Sequence, residues 1–344
     1  MVDRTNRCYR LRRRPDGLVT PQDLELVEEG IPPLRDGQAL VRTSWLSVDP
    51  TNRIWMSDLR GYLPPVAIDA VMRGLGIGEV VESRRDDFPV GAHVTGMLGF
   101  QDHCLVDDAL LEAPLTVLPD PLPAPPQALL GALGHTGITA WLGIEDICRP
   151  AAGETVVVSA AAGAVGSIAG QLAKARGARV VGLAGSPEKC RHVVEDLGFD
   201  ACVNYKDLDW AEQLARATPD GVDADFENVG GEIMDAVLLR LNIGARIALC
   251  GMISEYNDYG PGGGSTVPGQ RAIGQLIMQR ATMTGFLVLD HAARFPEAIA
   301  ALAALAAEGR LRWTDTVVDG FESTIDALNQ LFSGANTGKL LVRV

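Results

Sequence analysis

Residues Ala160, Ala161, Ala162, Gly163, Ala164, Val165 and Gly166 follow a branched apolar run at 155–159 and precede a helical pattern at 167–176. In a strand–turn–helix setting such small side chains let the backbone approach a diphosphate, and the helix start supplies amides and a dipole that favour its charge. The segment reads as an alanine-substituted dinucleotide-binding turn. The competing reading, close packing alone, is weakened by the strands around it.

An NAD site usually presents an acidic side chain at the end of the next strand, here 179–184. Ala184, Gly185 and Ser186 stand there instead. Ser186, Lys189 and Arg191 offer a hydroxyl and two cations suited to a 2′-phosphate, with Lys189 the expected direct contact. Glu188 weakens that field, and a solvated helix face is the alternative for the two cations. The expected cofactor is NADP(H).

The elements around this turn alternate. Strand patterns at 155–159, 179–184, 201–204, 224–227, 245–249 and 283–286 are separated by amphipathic helical patterns, which predicts an α/β fold with a doubly wound parallel sheet. Before it, from about residue 24 to 117, short β patterns at 39–44, 78–83, 93–98 and 103–106 predict a small twisted β domain. Prolines at 119, 121, 123, 125 and 126 mark the junction. Helical patterns follow at 127–133 and 140–147. An alanine-rich helix at 295–308 precedes β patterns at 314–321 and 339–344 that resemble the first domain, so the chain is expected to return to it. The glycines of 260–264 predict a mobile loop.

At 344 residues the chain is long enough for two cores. A net charge of -14 would repel phosphate backbones and anionic lipid, so no nucleic-acid or membrane partner is expected. No run approaches the roughly 18 to 20 apolar residues of a membrane span. Arg4, Arg7, Arg10 and Arg12 to Arg14 precede no apolar stretch, and a cytoplasmic location is expected over a basic targeting segment. The cysteines Cys8, Cys104, Cys148, Cys190, Cys202 and Cys250 form no Cys-x-x-Cys pair and no zinc-ligand cluster with histidine. They read as reduced, mostly structural thiols, and no metal is expected.

Several ordered motifs extend this reading: Ser47-Val48-Asp49-Pro50, the 160–166 turn, Gly185 to Lys189, Asn204-Tyr205-Lys206, Glu227-Asn228-Val229-Gly230-Gly231, Cys250-Gly251-Met252-Ile253-Ser254 with Tyr256-Asn257, and Asn336-Thr337-Gly338-Lys339. With them the chain resembles the zinc-independent medium-chain dehydrogenase/reductase family, in its group of prostaglandin, leukotriene-B4, alkenal double-bond and bacterial curcumin reductases. The resemblance implies a GroES-like β domain from both chain ends, residues 1–127 and 309–344, around a Rossmann domain at 128–308, with the active site between them. It also implies a homodimer. Ala162 to Gly166, Ser186, Lys189 and Tyr205 are expected at the phosphates, Asn228 at the ribose side, and Cys250, Gly251, Met252, Ile253 and Ser254 with Phe286, Leu287 and Val288 at the nicotinamide end. Asn336 is expected to reach the cofactor from the returning segment. Asn228 as a backbone turn residue and Phe286 to Val288 as ordinary strand core are the bland alternatives.

Two departures from the family pattern bear on substrate choice. The family commonly has Tyr and Met after Asp-Pro, where Thr51, Asn52 and Arg53 stand here, so the substrate wall is expected to be smaller and more polar. His135 and Thr136 occupy a place where relatives often carry Met-Pro, and His135 reads as a polar helix start rather than a catalyst.

The chemistry these residues suit is saturation of an α,β-unsaturated carbonyl. Hydride goes to the β-carbon while charge builds on the carbonyl oxygen, where preorganised donors lower the barrier. Tyr256 is the expected donor, since a phenol of pKa about 10 stays protonated at neutral pH. The alternative is that Tyr256 only walls the pocket and water supplies the proton. A quinone reductase with the same cofactor site and a non-catalytic NADPH-binding sensor are the competing functions.

Overall fold

A computed structural model describes residues 5–59, 61–258 and 271–344 of the protein. The segment 260–264, read as mobile, lies outside the described residues, as does most of the 255–270 loop.

Strands β1 (Thr5–Leu11) and β2 (Leu24–Gly30) form an antiparallel ribbon. The sequence pattern missed β1, because arginines interrupt its apolar period. They are held by acids: Arg7 by Asp102 at 2.8 Å and Arg10 by Glu29 at 2.5 Å. Strands β3 (Ala39–Ser47), β4 (Gly76–Ser83), β5 (His93–Gly96), β6 (His103–Val106) and β7 (Thr116–Val117) follow.

Strands β8 (Thr155–Val158), β9 (Arg179–Ala184), β10 (Ala201–Asn204), β11 (Val222–Glu227), β12 (Leu241–Leu249) and β13 (Thr282–Gly285) make a parallel sheet in the order β10-β9-β8-β11-β12-β13. This is the doubly wound order, and its reversal between β8 and β11 creates a crevice beyond the strand ends. Both faces are covered, which explains the unbroken apolar run of β8. Val156, Val158 and Phe226 pack into one cluster with Ile138, Ile168 and Leu302, while Val157, Val181 and Ile247 face Leu214, Val237 and Leu238.

The pattern placed the fifth strand of this sheet at 245–249, yet β12 begins at Leu241. Gly244 adopts φ +78°, and the register slips from Val222 opposite Leu241 to Ala224 opposite Arg246, so a bulge carries the strand through the glycine. The helical pattern at 140–147 spans the end of an α-helix, His135–Leu142, and a π-helical extension, Gly143–Cys148. A Cβ at Gly143 would stand 2.4 Å from the Phe226 ring, so this glycine sets how closely the helix rests on the sheet.

Strands β14 (Asp315–Asp319) and β15 (Lys339–Arg343) rejoin the first sheet, giving the order β14-β15-β3-β4-β5-β7 with β6 paired to β3. Between them lies a helix, Thr324–Ser333, that the sequence reading left unassigned. The entry to β15 ties the two sheets together. Gly338 donates its N–H to the Ala162 carbonyl at 2.7 Å, and Lys339 Nζ donates to Val48 O at 2.9 Å and Asp49 Oδ1 at 2.8 Å. Lys339 is only 3% exposed, and removing one partner of such a buried pair typically costs about 3–5 kcal/mol. No helix among the described residues is long and apolar enough to cross a membrane.

Candidate active site

Beyond the C-terminal ends of β8 and β11, between the two sheets, lies a cavity of about 820 Å³. That is the size range of small-molecule sites. Ala162, Gly163, Ala164, Val165 and Gly166 all line it. Gly166 opens the helix Gly166–Ala175, whose first turn has no side-chain cap, and a Cβ on Gly166 would lie 2.4 Å from the Ala160 carbonyl oxygen. Only glycine lets the turn close so tightly, and the uncapped helix start presents its dipole to the cleft.

At one end of the cleft stand Gly185, Lys189 and Tyr205. A Cβ on Gly185 would meet the Tyr205 hydroxyl at 2.5 Å, so the glycine makes room for that ring. Lys189 Nζ donates to the Gly334 carbonyl at 2.8 Å. Burial, and to a smaller extent the charge of Lys206, hold the Lys189 ammonium below the ordinary lysine range. An anion beside it would relieve both effects. Ser186 does not line the cleft, contrary to expectation. Its Oγ accepts the Lys189 amide at 3.2 Å and caps the helix Pro187–Arg191, so its part is to hold Lys189 in place. Arg191 is exposed and faces Glu188 at 3.8 Å. Asn336 lines the cleft from the returning segment and donates Nδ2 to the Gly338 carbonyl at 3.0 Å.

Toward the other end the wall is formed by Asn228, Cys250, Gly251, Ile253, Ser254 and Tyr256, with Phe286, Leu287 and Val288 from beyond β13. Asn228 donates its amide N–H to Ser159 Oγ and its Nδ2 to Ser159 O, both at 2.7 Å. Those donors hold the residue in place at the cleft. Met252 does not line the cleft. Its side chain packs toward Gly230, and its contribution is the backbone N–H, which donates to the Tyr256 phenol oxygen at 2.9 Å. Gly251 makes room for that phenol, since a Cβ there would lie 2.9 Å from it.

Sequence reasoning missed the buried Glu227 as a builder of this wall. Its Oε1 accepts Ser159 Oγ at 2.9 Å and the Gly230 amide at 2.8 Å, with the Val229 amide at 2.5 Å, shaping the loop that carries Asn228. Two residues earlier, Asp225 is fully buried between Val157 and Ile247, and neither carboxyl oxygen has a hydrogen-bond partner among the described residues. Burial, reinforced by Glu227, holds its carboxyl well above the usual carboxylate range. A pKa raised by folding gives stability that is full below the unfolded value, near 4, and is lost as pH rises toward the folded value. Asp225→Val is therefore expected to raise Tm at neutral pH by a few degrees and to flatten the fall of Tm above pH 4. Thermal scans across that range check this, and a variant with an unchanged Tm profile would contradict it.

The far chamber is bounded by Thr51, Ile54, Trp55, Tyr62, Met97 and Leu130. Thr51 hydrogen-bonds the Tyr62 hydroxyl, and Tyr62 meets Trp55 edge-on with centroids 6.5 Å apart. Asn52 and Arg53, expected at this wall, turn away from it. Asn52 Oδ1 accepts the Asp49 amide at 2.7 Å, and Arg53 is wholly buried with its guanidinium donating to the carbonyls of Pro15 at 2.9 Å and Gly17 at 3.2 Å. The reason is helix phase. Thr51, Ile54 and Trp55 share one face of the helix Thr51–Trp55, and the two residues between them take the other. His135 also lines the cleft, edge-on against Phe295 at 5.6 Å, and burial lowers its pKa, which favours the neutral ring.

Among the described residues, no three His, Cys, Asp or Glu side chains come together as a metal would require. The cleft combines an uncapped helix start, a lysine, a phenol and an aromatic chamber.

Comparison with known proteins gives the family. A family model described as the N-terminal domain of oxidoreductase matches residues 7–113, and one described as zinc-binding dehydrogenase matches residues 164–304. The chain is 40% identical over 341 residues to the NADPH-dependent curcumin reductase of Escherichia coli (strain K12), covering 98% of this chain and 97% of that one. It is 38% identical over 339 residues to prostaglandin reductase 1 of Rattus norvegicus, with 98% of each covered. The crystal structure of CurA in complex with NADPH from Vibrio vulnificus superposes with a TM-score of 0.91 at 39% identity, covering 98% of this chain and 99% of that one. The chain therefore belongs to the zinc-independent group of the medium-chain dehydrogenase/reductase family, among the oxidoreductases that include curcumin reductase and prostaglandin reductase 1.

Proposed function

We propose that this protein uses NADPH to reduce the carbon–carbon double bond of α,β-unsaturated ketones and aldehydes. The observation that carries the reading is the continuity of one cavity, lined by Lys189 and Tyr205, by Tyr256, and by Thr51, Trp55 and Tyr62. The names of the curcumin and prostaglandin reductases among its relatives support the same class of chemistry. We assign residues 1–127 and 309–344 to the substrate lobe and 128–308 to the dinucleotide lobe.

Bound NADPH supplies the hydride for the β-carbon of the substrate. Lys189 and Tyr205 bind the 2′-phosphate, and the 162–166 turn receives the diphosphate at the helix start. Asn228, Phe286, Leu287 and Val288 orient the reacting end. Thr51, Trp55 and Tyr62 wall the enone and exclude water, which strengthens the polar contacts that remain. Tyr256 donates its phenolic proton toward the developing enolate oxygen or relays it to the α-carbon. The Met252 amide, by donating to the phenol oxygen, polarises that O–H toward the substrate.

Oxidation of NADPH, with NADH alongside, against a panel of enones, enals, naphthoquinone and alcohols tests this. Turnover of enones with NADPH preferred is expected. Rapid reduction of naphthoquinone with no enone turnover would replace this reading by that of a quinone reductase.

We further propose that the protein is a homodimer. Strand β13 ends the parallel sheet, and no described strand pairs its outer edge. Ile273, Ile277 and Met278 are exposed just before that strand. An open strand edge beside apolar side chains is a pairing surface. Light scattering at working concentration is expected to give twice the chain mass, and a monomer mass would reject the proposal.

A further inference from the structure

His135 stands in the wall of the cleft at the start of the helix His135–Leu142. The backbone on either side of it has no slack. A Cβ on Gly134 would lie 2.1 Å from the Leu129 carbonyl oxygen, and one on Gly137 would lie 1.8 Å from that of Ala132. The ring itself is set edge-on against Phe295, with centroids 5.6 Å apart. Its nitrogens, however, are unengaged. The rings of His103 and His192 bond Asp102 at 2.9 Å and Asp196 at 2.7 Å, whereas neither nitrogen of His135 has a hydrogen-bond partner among the described residues, and neither is sealed from solvent. Polar side chains that share its wall are already committed. Thr136 Oγ1 donates to the Gly131 carbonyl at 2.9 Å, Thr139 Oγ1 donates to the His135 carbonyl at 2.7 Å, and Asp49 accepts from Lys339 at 2.8 Å. Burial lowers the pKa of the ring, with Asp49 opposing and Lys339 assisting. A neutral imidazole presents one N–H donor and one acceptor nitrogen, and a hydroxyl group, donor and acceptor at once, can satisfy either.

We propose that His135 is a specificity-determining residue of the cleft, whose ring hydrogen-bonds a hydroxyl that the enone carries beyond its reacting double bond. The proposal rests on the reading of the cleft as an enone site. Tyr256 takes the reacting carbonyl there, so the hydroxyl is a second point of attachment. An apolar chain laid against the ring strips water from a nitrogen and returns nothing, which sets the unsubstituted enone at a disadvantage. One neutral hydrogen bond corresponds to a preference of about 2- to 12-fold. Because the bond exists in ground and transition states alike, the preference belongs in KM.

The test uses the full chain with NADPH and linear enones carrying one hydroxyl at successive carbons beyond the β-carbon, each beside its unsubstituted parent. At least one position is expected to give a KM lower than the parent's, with kcat within about twofold. In His135→Leu the ratio of the two KM values is expected to fall to about one, while His135→Gln, which keeps a donor and an acceptor, retains part of the preference. A merely structural role would move both KM values together and leave their ratio unchanged. A series with no preferred hydroxyl, or a preference that survives in His135→Leu, would overturn the proposal. Should the leucine variant not fold, loss of the preference in the glutamine variant as well as in His135→Asn would overturn it. Failure of every parent enone to be reduced would sink the enone reading itself, whereas turnover of the parents without a hydroxyl preference sinks the role of His135 alone.

Discussion

Replacing Tyr256 with phenylalanine is expected to lower kcat on an enone at least tenfold while leaving the KM for NADPH within about twofold. The substitution keeps the ring that walls the cleft and removes one oxygen, the one that accepts the Met252 amide at 2.9 Å. A general acid is commonly worth 10²–10⁴ in rate, and a single donor at a developing oxyanion about 10²–10³. Water reaching the same position recovers part of this, so tenfold is the lower bound. The effect belongs in kcat because the donor acts on charge that exists only in the transition state. Steady-state kinetics with several enones measures it. Turnover near that of the parent on every enone would remove Tyr256 from proton transfer and leave it as a wall.

Lys189→Ala is expected to act on the opposite parameter. A hydrogen bond to a charged group is worth about 1.5–3 kcal/mol, so losing the ammonium at a 2′-phosphate should raise the KM for NADPH roughly 10- to 150-fold. The KM for NADH should stay nearly constant, and kcat at saturating NADPH should change little. Lys189 is half-buried, and the only hydrogen bond of its ammonium among those described goes to the Gly334 carbonyl. Much of its charge is therefore available to a ligand. Equal losses with the two cofactors would mean that Lys189 supports the fold of the cleft and does not read the phosphate.

The parts of the site legible in the sequence are those whose chemistry is local. The 160–166 turn needs consecutive small residues after a strand, and that pattern survives in one dimension. The same holds for the missing acid at the end of β9, and for Lys189 one helical turn beyond it. What was not legible depends on direction or on long-range contact. The family pattern after Asp-Pro sets Asn52 and Arg53 at the substrate wall with Thr51, but a helix rotates about 100° per residue and points them away. Trp55 lies one helical turn from Thr51, while Tyr62 and Met97 come from loops that share no spacing with it.

Met252 illustrates a different loss. Its neighbours face the cleft with side chains, whereas Met252 contributes a backbone N–H, which no residue type announces. Glu227 carries no role of its own in the 227–231 motif, because its contact to Ser159 exists only once β8 and β11 are adjacent, and those to the Val229 and Gly230 amides only once the loop after β11 has closed. In the fold, the parallel strands were found through their branched apolar runs. Strand β1 was lost among its arginines, and the helix Thr324–Ser333 was hidden between two β patterns.

The central claim, that hydride adds across the carbon–carbon bond, is tested most directly by where the hydrogen lands. A simple enone is incubated with the protein and NADPH carrying deuterium at the transferred position of the nicotinamide, and the product is isolated. A saturated ketone with one deuterium on the β-carbon and the carbonyl intact is expected. An allylic alcohol with deuterium on the former carbonyl carbon would contradict it.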